Sequence, residues 1–112
     1  MWSINDCTDV TVNNETILRG AITQQPVSIA VDAGGLFFQF YRQGVFSGKC
    51  GNDLNHGVLA VGFGEMNGVK HYKVKNSWGP AWGMQGFIFI LRNGDGEGWC
   101  GTQMAPSFPI VQ

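Results

Sequence analysis

The apolar positions of the chain change their spacing several times, and these changes divide it into short elements. Residues 1–13 are mostly polar and are predicted to form an extended lead-in rather than a packed element. From residue 15 to 24 the apolar side chains recur at helical spacing, with Asn14 ahead of them as a candidate N-cap and Pro26 closing the pattern. One short helix is therefore predicted near the N-terminus.

Most of the other apolar positions alternate with polar ones or form short runs, as β-strands do. Strands are predicted at 27–32, 57–63, 69–76 and 86–92, with a shorter extended piece at 44–46. Residues 36–41 are too few for periodicity to choose between a strand and a short helix. Asn67-Gly68 indicates a hairpin turn. Short strands and Gly-rich turns predict a mainly β fold, an antiparallel barrel-like domain over residues 14–112 with one N-terminal helix.

Composition and charge narrow the possible partners. The chain has 112 residues, which suits one domain, and only 13% of them are charged, against roughly one quarter in soluble domains. Part of the surface is therefore expected to lie against a partner. The net charge of −1 and the absence of a Lys/Arg run predict no nucleic-acid or membrane partner. The first residues lack a basic region followed by an apolar one, so no signal peptide is predicted in this chain.

Two stretches carry candidate chemistry. His56 opens an apolar run that is predicted to enter the core, so its ring is expected at a strand end. Asn76 lies among small residues and two indoles, Trp78 and Trp82, and large apolar rings beside an amide indicate a half-buried, shielded site. We infer that Asn76 orients His56, although a lone loop histidine is the plainer interpretation of His56 by itself. His71 lacks a neighbouring motif and is predicted to lie at the surface.

These motifs resemble a known family. Asn55-His56-Gly57, Lys75-Asn76-Ser77-Trp78-Gly79, the run 83–90 behind them and the Cys-Gly-Asn leader at Cys50 resemble the C-terminal half of a papain-type cysteine peptidase, over about residues 25–111. In that family a Cys thiolate attacks, a His is its ion-pair partner and general base or acid, and an Asn holds the His ring under a Trp.

The resemblance implies the right-hand, α+β domain of the papain-like fold and assigns roles to single residues. His56 and Asn76 are expected to be catalytic, Trp78 to cover their hydrogen bond and Trp82 to form a second wall. No cofactor and no metal are implied. Residues 36–41 are expected to form a short turn or helix.

The resemblance also implies a disulfide between Cys50 and Cys100, and hence an oxidising compartment, lysosomal, vacuolar or extracellular. Trp99 is expected to pack over this bond. The three cysteines contain no CxxC pair, so a zinc site is not indicated. Cys7 is either a thiol whose partner lies in the missing half or a nucleophile, although it has no helix start, adjacent cation or family context.

Substrate preference is expected to follow from five uncharged residues at the positions that line the family's pocket for the residue preceding the scissile one. They are Ala30, Leu54, Gly57, Met104 and Ala105, with Met104 or Ala105 near the floor. A roomy apolar pocket favours Leu, Phe or Val there, because the free energy gained scales with the apolar area buried.

The family's nucleophile motif, Cys-Gly-Ser-Cys-Trp, and its oxyanion-hole Gln occur nowhere in the chain. Counted from His56, that Cys is expected roughly 75–95 residues before residue 1. The chain is therefore expected to be inactive alone. Its expected partners are the Cys-bearing N-terminal domain, peptide substrates, cystatin-like inhibitors or a propeptide, and a second copy through the exposed interdomain face.

Two other interpretations stay open on sequence alone. The chain could be a non-catalytic binding or scaffold module in which His56 and Asn76 are relics. It could also be a secreted structural β protein, which predicts that His56 and Asn76 lie far apart.

Overall fold

The computed structural model describes residues 7–109, and they form two helices, seven strands and one short 3-10 turn. In chain order these elements are β1 (Cys7–Asp9), α1 (Glu15–Gln24), β2 (Val27–Val31), α2 (Leu36–Gln39), β3 (Val45–Phe46), β4 (His56–Met66), β5 (Val69–Lys75), β6 (Phe87–Leu91), the 3-10 turn (Trp99–Gly101) and β7 (Ser107–Pro109). No helix in this range has the length and apolarity needed to cross a bilayer.

All seven strands belong to one sheet in the order β1-β7-β2-β4-β5-β6-β3. Neighbouring strands are antiparallel, except that β3 runs parallel to β6. The sheet curls into a half-barrel, with β1 and β3 as its two ends. This confirms the mainly β, barrel-like prediction.

The predicted N-terminal helix is confirmed as α1. Asn14 has extended backbone angles, and its Oδ1 accepts a hydrogen bond from the Ile17 amide at 2.9 Å, so it is the N-cap. Asp95 caps the same end from the distant Gly-rich turn, since its Oδ1 accepts from the Glu15 amide at 2.9 Å. The apolar stripe of α1 is buried in the core, where Leu18 is only 1% exposed.

Residues 36–39 form a helix, as the family resemblance implied and periodicity could not decide. Only Phe38 of this helix is buried, whereas Leu36, Phe37 and the following Phe40 are exposed. The reason is the length of α2, since a single turn can direct only one of its large side chains into the core.

The lead-in differs from its prediction over the residues that are described. Cys7–Asp9 is extended, but it forms β1 and pairs with β7, and Val10 is 6% exposed. The polar composition of this stretch suggested that its backbone N–H and C=O groups would be hydrogen bonded to water. They are hydrogen bonded instead to a strand close to the C-terminus. The part of the expectation that concerns residues 1–6 lies outside the described residues.

His71 is buried, with 7% of its surface exposed, so the prediction that it lies at the surface is wrong. Its ring meets the edge of Phe89 at 4.8 Å between centroids and lies over Gly64. Arg92, itself 8% exposed, donates to the backbone carbonyl oxygens of His71 and Gly64, each at 3.2 Å. Phe89 on the next strand and the backbone at Gly64 therefore cover a position that alternation alone assigns to solvent.

A buried polar group ties the C-terminal loop to the sheet. The Tyr72 hydroxyl donates to Gln103 Oε1 at 2.6 Å, and Gln103 Nε2 donates to the carbonyl oxygens of Gly94 and Gly96. Tyr72 and Gln103 are each 1% exposed. Since the amide is satisfied on both sides, this contact fixes the turn that carries Asp95 without leaving a buried charge.

Candidate active site

One hairpin brings the two candidate catalytic residues together. His56 is the first residue of β4, where it pairs with Val31 of β2, and Asn76 directly follows the end of β5. Leu59 of β4 lies opposite Lys75, so the start of β4 and the end of β5 are at the same end of the hairpin. The turn between these strands is Asn67-Gly68, both with positive φ (51° and 81°), as its sequence predicted.

The two side chains are hydrogen bonded. His56 Nε2 and Asn76 Oδ1 are 2.7 Å apart, and the Ser77 amide donates to the same Oδ1 at 2.7 Å. A backbone N–H can only donate, so the shared atom is the amide oxygen, and His56 Nε2 must carry the proton. In the neutral ring the lone pair then lies on Nδ1. This geometry contradicts the structural-protein interpretation, which required the two residues to lie apart.

Trp78 covers this pair from one side. Its indole stacks on the His56 ring at 5.1 Å between centroids with an interplanar angle of 29°. Asn76 is 6% exposed, whereas Trp78 itself is 40% exposed. A hydrogen bond shielded from water in this way is stronger than an exposed one, because the local dielectric constant is lower.

Trp82 lies behind Trp78 rather than against the histidine. The two indoles meet edge to face at 5.2 Å, and the Trp82 Nε1–H donates to the Gln39 carbonyl oxygen at 2.9 Å. Phe38 contacts both indoles, edge-on to Trp78 at 5.7 Å and stacked on Trp82 at 5.6 Å. Trp82 is therefore placed as a support for Trp78, one ring further from His56 than a second wall would be.

The segment that leads into His56 is held by a polar loop. Asn55 Oδ1 accepts from the Ala33 amide at 3.0 Å, and Asp32 Oδ1 accepts from Asn55 Nδ2 at 3.3 Å. Asp32 Oδ2 also accepts from the Asp53 amide at 3.2 Å. These bonds fix the backbone on the N-terminal side of β4.

The predicted disulfide is confirmed between Cys50 and Cys100, with Cα atoms 5.1 Å apart. It joins the loop before His56 to the 3-10 turn, and the Asp32 amide donates to the Cys100 carbonyl oxygen at 2.9 Å. Trp99 lies half-buried beside the bond, where its Nε1–H donates to the Gly48 carbonyl oxygen at 2.8 Å. The loop that delivers His56 is thereby linked covalently to the C-terminal segment.

The five residues expected to line a substrate pocket fall into two groups. Ala30 and Gly57 are neighbours on paired strands. Leu54 and Met104 converge on Gly101, where an added Cβ would lie 2.6 Å from Leu54 Cδ2 and 3.0 Å from Met104 Sδ. Ala105 is exposed and follows Met104. Their role in binding substrate stays a prediction.

Two contributors to the site were not identified from the sequence. The Ser77 amide, which fixes the orientation of the Asn76 side chain, follows from a turn that no residue pattern specifies. Phe38, which supports both indoles, lies in the run whose periodicity was ambiguous. The high density of aromatic residues in this run was the signal in the sequence that could have identified it. Among residues 7–109, no three His, Cys, Asp or Glu side chains are grouped so that they could hold a metal ion.

Comparisons with known proteins agree with this geometry. The family profile described as "Papain family cysteine protease" matches residues 1–110. The chain is 52% identical over 110 residues to vignain of Vigna mungo and 47% identical over 110 residues to germination-specific cysteine protease 1 of Arabidopsis thaliana, covering 96% of this chain in both cases. It spans only 30% and 29% of the length of these two relatives.

Solved structures give the same result. Bromelain protease from Ananas comosus, in complex with the E64 inhibitor, superposes with a TM-score of 0.88 at 42% identity, over 95% of this chain and 50% of that one. The proform of the Amb a 11 cysteine protease, a ragweed pollen allergen, superposes with a TM-score of 0.89 at 43% identity, over 100% of this chain and 35% of that one. The profile match over nearly all residues, together with the shared fold, shows that the chain belongs to the papain family of cysteine proteases.

Proposed function

We propose that this chain supplies the His–Asn half of the catalytic site of a papain-type cysteine endopeptidase. The observation that carries the proposal is the 2.7 Å contact between His56 Nε2 and Asn76 Oδ1, with the Ser77 amide fixing the amide orientation. It leaves Nδ1 as the nitrogen that exchanges protons with a thiol. Residues 14–112, extended by the pairing of β1, act as the right-hand domain.

The nucleophile comes from a cysteine outside this chain. Cys50 and Cys100 are bonded to each other. Cys7 lies opposite Pro109 in the pairing of β1 with β7. Followed across the sheet, the strand registers place these two residues five positions along the strands from the paired residues Val31 and His56. At about 3.3 Å per residue this is about 17 Å along the strands. The backbone of Cys7 is therefore far from His56 in the sheet, and we infer that the chain has no peptidase activity alone.

In the assembled site His56 moves protons, while Asn76 orients its ring and Trp78 shields their hydrogen bond. His56 Nδ1 takes the thiol proton, and the thiolate adds to the carbonyl carbon of the scissile bond. As the C–N bond breaks, Nδ1–H passes its proton to the leaving amine. Nδ1 then takes a proton from water, whose oxygen adds to the acyl carbon, and returns a proton to the departing sulfur. Asn76 keeps the ring oriented throughout, and Trp78 keeps water from their hydrogen bond.

Substrates with an apolar side chain before the scissile residue fit this chain best. Ala30, Leu54, Gly57, Met104 and Ala105 are all uncharged, and the convergence of Leu54 and Met104 at Gly101 supports an apolar wall. The remaining wall belongs to the other domain. Leu, Phe or Val is therefore preferred over Arg at this position.

The partners of the chain follow from the same assignment. They are the Cys-bearing N-terminal domain, peptide substrates, and inhibitors or a propeptide that occupy the cleft. The related bromelain structure holds the E64 inhibitor and the Amb a 11 structure is a proform, which supports the last two classes. Cystatin-like inhibitors belong with them. The disulfide and the similarity to a KDEL-tailed cysteine endopeptidase of Arabidopsis thaliana support a lysosomal, vacuolar or secretory location.

Reconstitution tests the proposal. This chain is co-expressed with the Cys-bearing N-terminal domain of a papain-type peptidase, and hydrolysis of a peptidyl fluorogenic substrate is measured for each part alone and for the pair. We expect turnover only for the pair, and none when His56→Ala is introduced. Hydrolysis by this chain alone after repurification, or undiminished turnover in the His56→Ala pair, would contradict it. Thermal unfolding of His56→Ala shows whether the variant is folded.

A further inference from the structure

A groove on the outer face of β5 and β6 is not used by the proposed chemistry. It consists of two adjoining cavities, one of about 600 Å³ beside Trp82 and one of about 500 Å³ beside Phe87 and Phe89. Both cavities are lined by Arg42, Gln43 and Gly83, so they form one continuous depression. We call it the Arg42 groove.

The floor of the groove arises from strand alternation. Phe87 and Phe89 lie on the face of β6 opposite Ile88, which is fully buried, and both are paired with β5 residues, Phe89 with Lys73. The Lys73 ammonium lies over the Phe87 ring at 4.7 Å and over the Phe89 ring at 6.0 Å. Two half-buried rings thus form an apolar floor, and the Lys73 ammonium lies over part of it.

The charge of the groove has one sign. Arg42 is exposed, and within residues 7–109 neither Arg42 nor Lys73 has a carboxylate within ion-pair distance. No Asp or Glu lines either cavity. A ligand for this surface carries negative charge.

The other groups in the groove narrow the ligand further. A guanidinium binds a carboxylate through two parallel hydrogen bonds, and an ammonium can add a second anionic contact. The exposed amides of Gln43 and Gln85 can each donate to and accept from a peptide group. Phe87 and Phe89 offer area to an apolar side chain, which a purely polar polyanion would leave unused.

We propose that the Arg42 groove binds an acidic segment of an extended polypeptide. Carboxylates of the segment contact Arg42 and Lys73, and an apolar side chain between them packs on Phe87 and Phe89. The site is separate from the His56–Asn76 pair, and its binding does not depend on the catalytic role proposed for that pair.

Fluorescence anisotropy tests the proposal with a fluorescein-labelled octapeptide, Gly-Glu-Leu-Glu-Leu-Glu-Gly-Ser, and with matched peptides in which Gln or Lys replaces every Glu. The Glu peptide is expected to bind more tightly than the Gln peptide, and the Lys peptide not at all. Because an exposed ion pair contributes little, Arg42→Gln and Lys73→Gln are each expected to weaken binding about threefold to fivefold. Lys70→Gln removes an exposed cation outside the groove and is expected to change the dissociation constant less than about twofold.

Three results would overturn the proposal. One is equal weakening by Lys70→Gln and Arg42→Gln, which would mean that only net charge matters. Another is equal affinity for the Glu peptide and an all-Glu peptide, together with displacement of the bound peptide by dextran sulfate. This result would show that the groove binds polyanions in general. The last is loss of binding when the Cys-bearing domain is added, which would assign the groove to that domain. Amide chemical shifts of the labelled chain, expected to move at residues 83–89, keep the test valid if a variant fails to fold.

Discussion

The orientation of the Asn76 side chain is fixed by a hydrogen bond from the backbone. Its oxygen accepts from the Ser77 amide and from His56 Nε2, so the amide cannot rotate without losing a backbone hydrogen bond. The tautomer of His56 is therefore fixed in this chain without the second domain.

Asn76→Ala is expected to release this constraint. In the chain alone, long-range nitrogen spectra of His56 should change from the Nε2–H form to a mixture of both tautomers. In the reconstituted pair, turnover should fall about tenfold to hundredfold, because the base remains but is no longer oriented. Asn52→Ala removes an exposed amide elsewhere and should alter neither measurement. A pure Nε2–H spectrum in Asn76→Ala would contradict the assigned role.

His71 provides a test of pH dependence. Burial lowers the pKa of His71, and the nearby charges of Arg92 and Lys73 lower it further. The folded state therefore binds a proton less readily than the unfolded chain does. The stability due to neutral His71 is fully present above the unfolded pKa of about 6.5, and it is lost as the pH falls below that value, by at most about 1.4 kcal/mol per pH unit.

His71→Phe should reduce this loss. Urea unfolding at pH 7.5 and pH 5.0 gives the change in the free energy of unfolding for the native chain and the variant, and we expect a smaller change in the variant. The chain contains two histidines, so His56→Gln is the matched control. An equal reduction in both variants, or none in His71→Phe, would show that His71 does not carry the effect.

At the scale of elements, the Cys50–Cys100 bond holds together two loops that have little regular structure. It closes a loop of 50 residues between the His56 segment and the 3-10 turn. By the chain-entropy estimate, such a cross-link stabilises the folded state by about 4 kcal/mol. Replacing both cysteines with Ser should lower the free energy of unfolding by about this amount, as measured by urea titration. Reductant should lower it in the native chain and leave the double variant unchanged; equal sensitivity in both would contradict this account.

Local signals in the sequence were sufficient to predict some elements of the fold but not others. The helix at 15–24 was predictable because its stripe and its cap, Asn14, are local signals. The hairpin turn at Asn67-Gly68 was predictable because both residues tolerate positive φ. The pairing of Cys7–Asp9 with β7 was not, because it joins residues about 100 positions apart and depends on a neighbouring strand rather than on local pattern.

Within the site, the same distinction holds. The pair of His56 and Asn76 was inferred through a motif, and the disulfide through the family resemblance, before any geometry was known. The burial of His71 was missed because its ring packs on Phe89, a residue of the neighbouring strand that the alternation of β5 alone does not reveal. Periodicity indicates on which face of the sheet a side chain lies, but not which side chains of neighbouring strands cover it.

At the scale of the whole molecule, exposed apolar side chains indicate an incomplete surface. Leu36, Phe37 and Phe40 are 67%, 63% and 75% exposed, and Trp78 is 40% exposed beside the His56–Asn76 pair. Large exposed apolar patches favour association. The chain alone is therefore expected to self-associate through the face that carries His56 and Trp78.

Light scattering over a concentration series tests this expectation. The average mass should rise above the 12.2 kDa of one chain as concentration increases. Trp78→Gln should reduce the rise, whereas Val69→Gln, at a residue that is 39% exposed on the distant hairpin end, should not. A constant monomer mass at high concentration would contradict the expectation, and addition of the Cys-bearing domain should replace self-association by a one-to-one complex.

The β4–β5 hairpin, finally, bears on the order in which the molecule folds. Its two arms are joined by one two-residue turn, and they carry His56 and Asn76 only 20 residues apart. Such short-range pairing costs little loop entropy and forms early, in microseconds for isolated hairpins, whereas the pairing of β1 with β7 must close almost the entire chain. The hairpin that carries His56 and Asn76 is therefore expected to form early, and the two side chains are expected to align before the sheet around them is complete.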